Sequence, residues 1–91
     1  MSARNLFDLT GKVALITGGS RGLGLQMAKA LGDMGARVAI SARKADELTE
    51  AKTQLAARGI DVLTVTNDLA RPEGIPALAD GVVAHFGTID I

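Results

Sequence analysis

Apolar residues fall into short continuous runs that alternate with longer stretches in which they recur every three or four positions. The first run, residues 12–17 (KVALIT), lies between Gly11 and the pair Gly18-Gly19. Residues 36–42 (ARVAISA) and 60–66 (IDVLTVT) repeat the pattern. Continuous rather than alternating hydrophobicity predicts strands covered on both faces, as in a parallel sheet. Between them, residues 22–34 place Leu23, Met27, Leu31 and Met34 at helical spacing, and Gly35 ends the stretch. Residues 44–58 carry Asp46, Glu47 and Glu50 early, where the helix dipole favours negative charge, and Leu48, Ala51 and Leu55 as an apolar stripe.

A third helix is predicted to start near Pro72, since a proline costs little at the first helical position. Ile75, Leu78, Ala79, Val82 and Phe86 would form its inner face, with Pro76 still in the first turn and Gly87 at the end. Residues 88–91 (TIDI) then read as the start of a fourth strand. Strands and helices alternate with short connections, which predicts one α/β domain with a parallel sheet and helices on both faces. There is no internal repeat, linker or low-complexity tract.

Composition narrows the chemistry. The chain has 91 residues, with ten Lys plus Arg balancing ten Asp plus Glu, so bulk charge draws it to neither nucleic acid nor membrane. It has no Cys, which removes disulfides and thiolate sites, and a single His, His85, which reads as a surface residue near a helix end. No metal site is expected. It has no Tyr and no Trp, so a mechanism that needs a tyrosine acid cannot be completed by these residues. Neither a signal-like run nor an apolar stretch of membrane-spanning length occurs, and a soluble cytoplasmic protein is the expectation.

The densest signal is Thr17-Gly18-Gly19-Ser20-Arg21-Gly22-Leu23-Gly24, between the first strand and the first helix. A tight strand-to-helix turn needs backbone angles that glycine adopts cheaply. A diphosphate approaching the backbone needs positions without Cβ, and a helix N-terminus offers free N–H groups and a positive dipole end. No Lys-Ser/Thr pair follows the second glycine, which rejects a nucleoside-triphosphatase loop. The strict G-x-G-x-x-G spacing is also absent, because Gly18, Gly22 and Gly24 are spaced G-x-x-x-G-x-G. Against a functionless glycine loop stands its position after a buried strand and before an amphipathic helix.

The T-G-x-x-x-G-x-G pattern after a first strand resembles the cofactor fingerprint of the short-chain dehydrogenase/reductases. Residues 9–16 (LTGKVALI) and 86–91 (FGTIDI) are similar to that family too, so the resemblance runs from about Phe7 to Ile91. The carbonyl and 3-oxoacyl-thioester reductases and the gluconate or polyol dehydrogenases are the most similar branches. The resemblance implies a Rossmann-type sheet of order 3-2-1-4, truncated at the start of strand 4, with residues 1–91 as the NADP(H)-binding front portion of a single domain. It implies that Thr17, Gly18, Ser20, Arg21, Gly22, Leu23 and Gly24 hold the dinucleotide, and that Asp90 supports the fold.

In Rossmann folds an acid roughly twenty residues beyond the glycines accepts from the adenosine ribose and repels a 2′-phosphate. Ala42 stands at that position, followed by Arg43 and Lys44. Arg43 offers a planar guanidinium suited to phosphate, and Arg21 could reach the same group from the glycine loop. The plain alternative is that Arg43 and Lys44 are solvated residues opening a helix; cations there oppose the dipole, which a nearby anion would explain. NADP(H) is therefore expected over NAD(H). The missing acid also speaks against a methyltransferase. By resemblance, Asp68 would meet the adenine amino group and the backbone N–H of Leu69 the ring; as an alternative, Asp68 is a turn or cap residue before Pro72.

By the resemblance, the family's chemistry comes from an Asn-Asn-Ala-Gly stretch, a carbonyl-orienting Ser and a Tyr-x-x-x-Lys pair expected beyond Ile91, and this sequence has no Tyr. No catalytic residue is assigned, and the 91-residue chain alone is expected to be inactive. The reading is the front portion of an NADP(H)-dependent oxidoreductase. It would act on a small carbonyl or alcohol substrate only in a longer, homo-oligomeric form. The alternative is a stand-alone dinucleotide-binding or interaction module.

Overall fold

The computed structural model describes residues 8–18, 22–67 and 74–91. Strand β1 spans Val13–Thr17, helix α1 Gly22–Asp33, strand β2 Arg37–Ala42, helix α2 Ala45–Ala57, strand β3 Val62–Thr66 and helix α3 Gly74–Phe86. The strands lie parallel in the order β1-β2-β3, with Val13 opposite Arg37 and Val38 opposite Val62. The strand–helix alternation and parallel pairing make this a Rossmann-type α/β fold.

β2 is covered on both faces, and Val38, Ala39 and Ile40 are fully buried. Its alternate residues serve two separate cores. Val38 and Ile40 join Ile16, α1 (Leu25, Ala28) and α2 (Leu48, Ala51, Leu55) on one face. Ala39 joins Val13 and α3 (Leu78, Val82, Phe86) on the other. The continuous apolar runs in the sequence are thus strands sandwiched between helical layers.

Residues 88–91 form no ladder of their own but lie along β1. The amides of Asp90 and Ile91 donate to the Val13 carbonyl at 2.8 and 3.1 Å, and the Leu15 amide donates to the Ile91 carbonyl at 3.0 Å. Lys12, on the other parity, gives its carbonyl to the Arg37 amide of β2. Successive residues of a strand aim their backbone groups at opposite sides, so residues 88–91 occupy the flank of β1 away from β2. This matches the expected order 3-2-1-4. The Asp90 carboxylate also accepts the Val13 amide at 2.9 Å, tying residues far apart in sequence.

Two expected helix faces differ. In α1 the buried residues are Leu25 and Ala28, whereas Leu23 is 76% exposed and Met27 47% exposed. Small residues bring the helix close: an added Cβ at Gly32 would meet Ile60 at 2.5 Å, and the bulky residues are left on the outer side. In α3, Leu78, Val82 and Phe86 are buried as expected, but Ile75 is largely exposed and Ala79 only half-buried. The expected helix start near Pro72 lies outside the described residues. Among the described residues, no helix is long and apolar enough to cross a membrane.

Candidate functional site

In a parallel sheet the strand ends that carry the loops into the helices all lie at one edge, and ligands of such folds bind there. Register places Thr17 beside Ser41 and Ala42 beside Thr66, so the three C-terminal strand ends are adjacent. The glycine turn, the Arg43-Lys44 corner and the connection after Asn67 leave from this edge. β1 has β2 on one flank and residues 88–91 on the other, so the glycine turn leaves the sheet where the strand order reverses.

Thr17 is exposed at the end of β1. Gly18 follows with φ +68°, its amide donating to the Ser41 carbonyl at 2.8 Å, and Gly22 opens α1 with φ +61°. Both sit in the left-handed region, where a Cβ costs on the order of 1 kcal/mol. Among the described residues, nothing lies within 4 Å of where either Cβ would stand, which leaves the backbone at both open to approach. No residue of the first turn of α1 is acidic. The amides of that turn lack intrahelical acceptors and lie at the positive end of the helix. Leu23 is exposed and Gly24 half-buried on the same turn. Two expected members of the loop, Ser20 and Arg21, lie outside the described residues.

At the end of β2, Ser41 is buried and Ala42 half-buried, and Arg43 and Lys44 are both exposed. Lys44 is the N-cap of α2, with φ −104° and ψ 120°, and no side chain caps the helix there. Asp46 and Glu47 in the first turn complement the dipole, which leaves the two cations as the unusual feature of this corner. At the third strand end, Asp68 and Leu69 also lie outside the described residues. The structure thus brings together Thr17, Gly18, Gly22, Leu23 and Gly24 at one strand end, with Arg43 and Lys44 at the next.

His85 is exposed near the end of α3, with its ring edge-on to Phe86 at 4.7 Å between centroids. Phe86 in turn lies 5.1 Å beneath the guanidinium of Arg37, at the start of β2. His85 therefore sits at the opposite edge of the sheet from the glycine turn. Sequence reasoning missed Asn67. This half-buried residue follows β3 and joins its end to α3, and its position directly before Asp68 was the available signal.

The chain as a whole is similar to known proteins. A gluconate 5-dehydrogenase of Gluconobacter oxydans is 40% identical over all of this chain and 36% of its own. A solved metagenomic short-chain oxidoreductase in complex with NADP superposes with a TM-score of 0.86, at 38% identity, over 91% of this chain and 38% of the other. A solved 7α-hydroxysteroid dehydrogenase complexed with NADH superposes with a TM-score of 0.90, at 28% identity, over 99% and 35%. The chain spans about a third of the length of the curated relatives it matches and corresponds to their N-terminal part. The short chain dehydrogenase family model matches residues 12–91, covering the glycine turn and every strand and helix described above. The chain belongs to the short-chain dehydrogenase family.

Proposed function

We propose that this chain is the NADP(H)-binding front of a single Rossmann domain, spanning residues 1–91, in an oxidoreductase that moves hydride between the cofactor and a carbonyl or alcohol substrate. The observation that carries the cofactor assignment is the β2–α2 corner. Ala42 stands where an acid would repel a 2′-phosphate, and two exposed cations follow it at an uncapped helix N-terminus. Solved relatives hold NADP or NADPH in two cases and NADH in another, so the preference rests on these residues.

Thr17, Gly18, Ser20, Gly22, Leu23 and Gly24 hold the diphosphate through backbone amides and hydroxyl groups, with α1 aiming its positive end at it. Arg43 meets the 2′-phosphate with its planar fork, Arg21 approaches from the glycine loop and Lys44 adds charge. Asp68 accepts from the adenine amino group, and the Leu69 amide meets the ring. The bound dinucleotide supplies the hydride; these residues supply affinity and orientation. A gluconate dehydrogenase among the relatives supports an alcohol and ketone pair as the substrate class. The longer enzyme is proposed to be a homo-oligomer.

The test is a double substitution, Arg43→Asp with Arg21→Ala, followed by titration with each reduced cofactor. Preference should move from NADPH toward NADH by at least about tenfold, as expected when charge-assisted contacts to one phosphate are lost. An equal loss of affinity for both cofactors would refute the assignment.

A further inference from the structure

No further inference is drawn: the strongest candidate, the exposed apolar stripe of Ile75 and Val83 along α3, carries nothing because nothing in the structure shows what covers it.

Discussion

Replacing Gly32 with alanine sets two effects of opposite sign against each other. Glycine in a helix interior is destabilising relative to alanine by about 1 kcal/mol, so helix propensity alone favours the change. The added Cβ, however, would lie 2.5 Å from Ile60 Cδ1 and 2.7 Å from both Cγ1 and Cγ2. Carbon atoms pack best at about 3.5–4.0 Å, so the whole branched side chain must move by roughly 1 Å. Ile60 is buried in the core shared with α1 and α2 and has little room to do so. Overpacking of this kind costs about 1–3 kcal/mol, which leaves a net loss near 1 kcal/mol. Gly81, in α3, provides the control. Among the described residues nothing lies within 4 Å of its added Cβ, so Gly81→Ala should stabilise by about 1 kcal/mol. With no Trp or Tyr, unfolding is best followed by far-ultraviolet circular dichroism in urea. Ile60→Val removes the nearest atom and should reduce the Gly32→Ala penalty. If Gly32→Ala raises the midpoint as Gly81→Ala does, the close approach of α1 to Ile60 is refuted.

Asp90→Ala should cost about 1–2 kcal/mol by leaving the Val13 amide without its carboxylate, and hydrogen exchange should show faster loss of protection at Val13 and Leu15. Protection equal to the parent would contradict a tie between residues 88–91 and β1. Arg58 donates to Asp33 at the ends of α1 and α2, and that hydrogen bond and charge raise the pKa of its guanidinium above its ordinary value. A raised pKa in the folded state means that this contribution is complete below the ordinary arginine range and is lost only at pH above it. Because both partners are partly exposed, Arg58→Ala should lower the unfolding midpoint only slightly, by a difference that shrinks in high salt. Leu23, Met27, Ile75, Val83 and Ile91 leave apolar surface in water, so sedimentation velocity should detect concentration-dependent self-association that Met27→Gln with Ile75→Gln reduces. A parent chain that stays monomeric at high concentration would contradict this.

Strand identity was legible because apolar residues such as those of β2 run without interruption, a pattern that only a strand buried on both faces needs. The apolar stripe of α2 was legible for a related reason: Leu48, Ala51 and Leu55 have no bulky competitors on other faces. In α1 and α3, hydrophobic residues lie on more than one face, and periodicity could not say which of them meets the sheet. Close packing decided it, since Ala28 and Gly32 permit an approach that Leu23 and Met27 would block. The glycine turn was legible because its constraint is local: positive φ at Gly18 and Gly22 is written in the residue type. Asn67 was not, because its bond to Gly74 depends on where α3 begins relative to β3, a relation set by the tertiary fold.

The account stands most directly on a comparison of NADPH and NADH binding to this chain. Neither Trp nor Tyr is present, so the emission of the bound reduced nicotinamide can be followed without interference from the protein. NADPH should bind at least about tenfold more tightly than NADH, a preference that narrows as salt screens Arg43 and Lys44. Equal affinity for the two, or tighter binding of NADH, would contradict a 2′-phosphate held at the β2–α2 corner.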